Sequence, residues 1–349
     1  MRTWLWLLLP ALAAAGPLTH VDVFRSGSEG YHSFRIPALV AAPDGSLIAF
    51  AEARKQNAGD PGRGDIDLVC KRSTDGGSTW SALKVLDDPG EGWAASNPVP
   101  VTDRETRRVW IVYNRWEPGH GTESSKPGTA NNQTWARWSG DNGITWSAAT
   151  DLTRAARDYD RWGAMFTGPG GGIQTRRGRL IVPAAAKVSE GASLDMRAYA
   201  LYSDDHGKTW RHGALVISHT DENQIVELPD GALLMDARQD KGDRRWRMRS
   251  SDGGATWSDP QPGQVVTPVC TSLTVAGGRT LWVGPAGPAR RRLVARVDDG
   301  GDRLIYEGFA AYSSTVPLAG GGAATLWERG DSAGYQFITF TRLPAEFLR

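Results

Sequence analysis

The sequence predicts an all-β chain arranged as a β-propeller, and three observations point there. One phrase recurs: Ser73–Trp80, Ser139–Trp146, Ser203–Trp210 and Ser250–Trp257 all read S-x-D-x-G-x-T-W. Its aspartates, Asp75, Asp141, Asp205 and Asp252, stand 66, 64 and 47 residues apart. Such a period fits one four-stranded antiparallel blade with its turns. The composition, 42 Gly and 20 Pro in 349 residues, suits a chain that turns often. No long stretch carries the 3.6-residue apolar period of an amphipathic helix.

Taken in order, the chain opens Met1-Arg2-Thr3 and then runs apolar from Trp4 to Ala15, with small residues before Gly16. Residues 1–15 read as a secretory signal peptide and 16–349 as one propeller domain. The apolar run is too short for a membrane span. The mature protein is therefore expected to be secreted or periplasmic, or lysosomal in a eukaryote. Val21–Phe24 and Tyr335–Leu343 read as strands, and pairing them would close the ring and remove an exposed edge.

Strands such as Ile66–Arg72 and Arg197–Tyr202 carry apolar residues on both phases, as sheets covered on both faces do. The repeated phrase is a hairpin turn. Its Ser and Asp accept local backbone N–H bonds, its Gly permits φ > 0, and its Trp pins the turn. A worn fifth copy stands at Asp299-Gly300-Gly301. It has lost the flanking Ser, Thr and Trp.

Net charge is +1, which argues against nucleic acid as a partner. Cys70 and Cys270 read as two separate buried thiols rather than a disulfide. The six His are scattered without metal-ligand spacing. Asn132-Gln133-Thr134 is a glycosylation sequon for a eukaryotic secretory pathway.

Arg35 lies within Phe34-Arg35-Ile36-Pro37, an otherwise apolar segment expected on an innermost strand. A charge there must meet an anion, either a ligand or a salt-bridge partner, and both readings stand. Phe34–Pro37 followed by the S-x-D-x-G-x-T-W phrases resembles the sialidase (neuraminidase) superfamily, in its bacterial and animal non-viral branch. The resemblance runs from about residue 20 to 343. It implies a six-bladed β-propeller of four-stranded antiparallel blades. It also implies a retaining exo-α-sialidase that removes terminal sialic acids from glycoproteins, glycolipids or oligosaccharides through a tyrosyl-enzyme intermediate.

Carried over position by position, the resemblance implies a carboxylate grip of Arg35, Arg238 and Arg290. Arg291 and Arg292 are rivals for the third place. Tyr312 matches the nucleophile, and Glu222, 16 residues before Arg238, matches its base; Glu227 reads as structural. Arg54 and Asp60 match an arginine and the acid/base. Asp65 and Asp67 are rivals for Asp60, although Asp67 alternates within a strand. Where many relatives carry an aspartate near the acyl-amino pocket, this chain has Asn97, so that pocket should be less acidic. No metal or organic cofactor is implied, and a monomer is the default.

The chemistry favours these residue types independently. A guanidinium fork pairs a carboxylate bidentately and stays charged. A carboxylate nucleophile would be repelled by an anomeric centre that already bears a carboxylate. A neutral phenol avoids this if a base takes its proton. The alternatives are action on a related 2-keto sugar acid, transfer to a sugar acceptor, release of an anhydro product, or a non-catalytic glycan-binding propeller. A retired site should have lost some of this set.

Overall fold

Burial runs without alternation along the middle strands: every residue of Leu47–Arg54 and of Leu180–Lys187 is buried. Sheets packed on both faces have this signature. The computed structural model describes residues 18–188, 195–240 and 242–349, so the expected signal peptide lies outside the described residues. Among these, the regular structure is strand apart from one helical turn at Thr153–Ala156 and a 3-10 turn at Ala345–Leu348. The all-β expectation holds.

Hydrogen bonding joins the described strands into four curled sheets. In one, Ser33–Ala41, Leu47–Arg54, Ile66–Ser73 and Lys84–Asp87 form an antiparallel meander. Ala94–Asp103, Arg108–Trp116, Asn132–Ser139 and Thr150–Asp151 form a second, joined to the first by a parallel Ile66–Ala94 bridge. Another sheet holds Ala164–Thr167, Leu180–Lys187, Met196–Ser203 and Arg211–His212. A third runs Thr220–Glu227, Leu233–Gln239, Arg244–Ser250 and Gln261–Val265. The last contains the long strand Arg303–Pro317, whose first half pairs with Arg291–Val297 and whose second half pairs with Ala323–Gly330.

Inner strands lie beside one another in turn. Ser33–Ala41 packs on Ala94–Asp103, Leu180–Lys187 on Thr220–Glu227, and Thr220–Glu227 on Ser272–Ala276. Arg303–Pro317 then packs on both Ser272–Ala276 and Ser33–Ala41. The chain ends meet as the sequence suggests: His20–Arg25 pairs antiparallel with Phe337–Leu343, with Val21 opposite Phe340.

The repeated phrase does more than turn the chain. Ser73 Oγ accepts from Gly77 N at 2.9 Å, and Thr79 donates to Asp75 from N at 2.9 Å and from Oγ1 at 2.6 Å. Those bonds hold the Asp75 carboxyl down at about 2. The same clasp recurs at Asp141, Asp205 and Asp252. The glycine of each phrase is where a neighbouring unit comes closest. Gly207 has φ +83°, and a Cβ there would meet the Trp110 ring at 2.3 Å. Gly77 has φ +94°, and a Cβ would meet Phe340 at 2.1 Å. Each clasp thus docks on the preceding unit, and the first docks on the last. The worn copy sits in the corresponding turn without the clasp, since Asp299 turns to Arg247 and Gln264.

Cys70 and Cys270 are both free and buried, as expected. The sequon fares differently. Asn132 is fully buried and its Oδ1 accepts from Met165 N at 2.7 Å, so the folded chain does not present it for glycosylation.

Removing Tyr335–Arg349 deletes both Phe340 and the strand that seals the chain ends. The truncated protein should show no cooperative thermal transition by circular dichroism; a sharp transition would show that closure is dispensable.

Candidate active site

Four inner strands break register where an expected site residue sits. The irregularities fall between Arg35 and Ala38, Ser96 and Val99, Thr220 and Asn223, and Ala310 and Ser313. Ile36 and Asn97 take φ of 59° and 53° there. A bulge turns a side chain out of the two-residue alternation and re-aims it. Ile36, Asn97, Glu222 and Tyr312 consequently all line one cleft of about 420 Å³, together with Arg54, Asp60 and Arg238.

Tyr312 is the centre of this cleft. Its hydroxyl donates a short hydrogen bond to Glu222 Oε1. Arg238 Nη1 donates to Glu222 Oε2 and, at 3.3 Å, to Tyr312 Oη. The guanidinium of Arg35 stands 5.5 Å from the Tyr312 ring centre and that of Arg290 5.6 Å. Burial and the charge of Glu222 push the Tyr312 phenol well above its usual range, against the pull of Arg238 and Arg35. At rest it is a neutral phenol in hydrogen-bond contact with a carboxylate.

The structure brings together three expected arginines. Arg290 turns toward Tyr312, whereas Arg292 is drawn away to Asp302 at 2.6 Å. Arg291 opens a strand and is exposed. Arg35 has the salt-bridge partner that the sequence allowed for: its Nε donates to Glu328 Oε1 at 2.6 Å. Its guanidinium lies beside the Tyr312 ring but is not among the groups that line the cleft. Burial would lower the Arg35 pKa, but Glu328 holds it above its ordinary value.

Asp60 stands apart. Its side chain is 75% exposed and lies 3.2 Å from Arg54 Nη2 at the cleft mouth. Its rivals point elsewhere: Asp65 and Asp67 close on the Lys55 ammonium at 3.2 and 3.0 Å. Tyr31 also donates to Asp67. Glu227 accepts from Arg176 N at 2.8 Å, away from the cleft, and is structural as expected.

Three site acids were not anticipated. Glu328, fully buried, accepts from Arg35 Nε, from Ile36 N at 3.0 Å and from Tyr312 N at 3.1 Å. Glu52, also fully buried, accepts from Arg54 Nη2 at 2.6 Å and from Asn97 N at 2.9 Å. A lone glutamate inside each apolar strand, Leu47–Arg54 and Ala323–Gly330, was the available signal. Asp221 adjoins Glu222 and lines the cleft, with Oδ1 3.8 Å from Arg238 Nε. Burial, opposed by Arg238 and reinforced by Glu222, pushes its carboxyl up to about 7.

Residues 37–303 match the BNR repeat-like domain, and the chain belongs to that family. It is similar to the sialidase of Micromonospora viridifaciens, at 31% identity over 93% of this chain and 56% of that protein. It thus spans little more than half the length of that relative. Among solved structures it resembles the Hadza microbial sialidase Hz136, with a TM-score of 0.83 and 25% identity, over 95% of this chain and 69% of that one. The intramolecular trans-sialidase from Ruminococcus gnavus shares the fold, with a TM-score of 0.80 and 20% identity over 94% and 98% of the two chains.

Glu328→Gln leaves the buried Arg35 cation without its counter-charge and should destabilise the fold by roughly 3 kcal/mol, read as a lowered urea midpoint. Asp221 gives a pH signature. Its folded carboxyl keeps a proton that the unfolded chain releases near the ordinary aspartate value of 3.8. Its contribution to stability is therefore full below that value and is lost as pH rises through about 7. Asp221→Asn should flatten the stability profile across that window; an unchanged profile would refute the assignment.

Proposed function

We propose that this chain is a retaining exo-α-sialidase, folded as a six-bladed β-propeller and exported from the cell. The cyclic contact of inner strands, with the first clasp docked on the last unit, supports the closed ring. The observation that carries the activity is the Tyr312 hydroxyl bound to Glu222 amid Arg35, Arg238 and Arg290. Tyrosine nucleophiles are the established sialidase exception to paired-carboxylate glycoside hydrolysis.

In this reading the three arginines take the carboxylate of a terminal sialic acid and set its anomeric carbon above Tyr312 Oη. The phenol proton passes to Glu222 as the new carbon–oxygen bond forms, and Arg238 stabilises the developing phenolate. Asp60 gives a proton to the departing glycosidic oxygen. The sugar then sits on Tyr312. Asp60, now ionised, takes a proton from water as that water attacks the anomeric carbon, and Tyr312 recovers its proton from Glu222. Two displacements retain the anomeric configuration. The exposure of Asp60 suits a group that must meet both the aglycone and water. Asn97 supports a less acidic wall beside the acyl-amino group. The substrates are sialylated glycoproteins, glycolipids or oligosaccharides.

A fluorogenic α-sialoside assayed between about pH 4 and 8 tests the reading directly; no release by the wild type would remove it. Tyr312→Phe should lose most turnover, about 10³-fold or more, while still binding free sialic acid. Asp60→Asn should slow a natural sialoside by about 10²–10⁴-fold and an activated aryl sialoside far less. Equal losses on both substrates would exclude Asp60 as the acid.

A further inference from the structure

The turn Asp331–Gln336 joins the last two strands, and the reaction above makes no use of it. It is nevertheless firmly built. Gln336 Oε1 accepts from the backbone N of Asp331 at 2.6 Å, Ser332 at 3.0 Å and Ala333 at 3.4 Å. From the other end of the chain, Ser26 Oγ donates to the Tyr335 carbonyl at 2.8 Å and Ser26 N to the Gln336 carbonyl at 2.9 Å. Held from both sides, Tyr335 adopts φ of 60°, a left-handed conformation that a bulky residue keeps only when its surroundings enforce it.

The consequence lies in where its ring goes. The Arg35 guanidinium stacks over the Tyr335 ring at 3.9 Å. The Tyr335 hydroxyl accepts a short hydrogen bond from Arg290 Nη1. Phe309 braces the ring edge-on, with centroids 5.1 Å apart. One side chain therefore touches two of the arginines that flank Tyr312. Among the described residues Arg290 has no carboxylate within ion-pair distance. Its orienting partner is a neutral phenol, which aims the guanidinium without cancelling its charge.

We propose that Tyr335 is a positioning residue for carboxylate recognition, fixing the spacing of Arg35 and Arg290 before a ligand arrives. The identity of the ligand rests on the sialidase reading; the bracing itself rests on the contacts above. Long, flexible arginines lose rotamer freedom when they grip an anion. Stacking and a neutral hydrogen bond remove part of that loss from the binding step. A carboxylate in place of the Tyr335 hydroxyl would instead compete with the ligand for Arg290.

The test is calorimetric titration of free sialic acid and of its methyl ester into wild type, Tyr335→Phe and Tyr335→Ala. Tyr335→Ala should weaken binding of the acid by about 10–100-fold and of the ester by less than about 2-fold. Tyr335→Phe keeps the stack and loses the hydroxyl, so the acid should weaken by only about 3–10-fold. In turnover assays KM should rise while kcat holds within a few fold. A residue that only packs the turn would weaken both ligands together. An unchanged preference for acid over ester in Tyr335→Ala, in protein shown to be folded by its thermal transition, overturns the proposal. Because binding is read, failure of the hydrolysis reading appears separately, as absence of turnover by the wild type.

Discussion

The carboxylate of Glu328 is the point on which the site depends. It lies fully buried on Ala323–Gly330 and gathers Arg35 Nε, Ile36 N and Tyr312 N around its two oxygens. Those groups belong to an early strand and a late one, 16 to 293 positions from Glu328 in sequence. A buried carboxylate with one cation and two backbone donors is fully compensated, whereas either charge alone would be costly. The interaction satisfies backbone N–H groups that the bulges at Ile36 and Tyr312 take out of the sheet ladder. Glu52 does the same for Asn97 N while orienting Arg54.

Bulge and buried acid therefore form a recurring pair. A regular strand would send Tyr312 and its neighbours alternately to the two faces of a sheet. The bulge frees a backbone donor and re-aims the side chain, and a buried acid from another strand takes up the donor. Tyr335 extends the idea to the third arginine, where a phenol takes the place of the carboxylate. Arg290 thereby keeps its charge available, unlike Arg35 and Arg238, which already share theirs with Glu328 and Glu222.

The clasped turns belong to a different layer of the structure. Their Asp and Thr bonds shape each turn locally, and their glycines admit a side chain of the neighbouring unit. Phe340 entering against Gly77 and Trp110 against Gly207 show how one short phrase links adjacent sheets. No residue of these turns lines the cleft, so the turns and the candidate site are built from separate residues.

Much was determined by the sequence alone. The spacing of S-x-D-x-G-x-T-W is local information, because turn geometry depends on residues within a few positions, and it sufficed for the all-β class. The pairing of the chain ends was likewise legible from two short apolar runs. Arg35, Arg54, Asp60, Asn97, Glu222, Arg238, Arg290 and Tyr312 could be named because family resemblance preserves their order along the chain. Tertiary structure alone decided that Asp65 and Asp67 serve Lys55, that Arg290 rather than Arg292 turns inward, and that Asn132 is sealed from solvent. It alone assigned Glu328, Glu52 and Tyr335. Glu328 meets Arg35 293 residues away, Tyr335 meets Ser26 309 residues away and Glu52 meets Asn97 45 residues away, and the bulges beside Ile36, Asn97 and Tyr312 leave no mark in the apolar pattern. A buried charge shows in sequence as an oddity; only the fold reveals the group it was placed to meet.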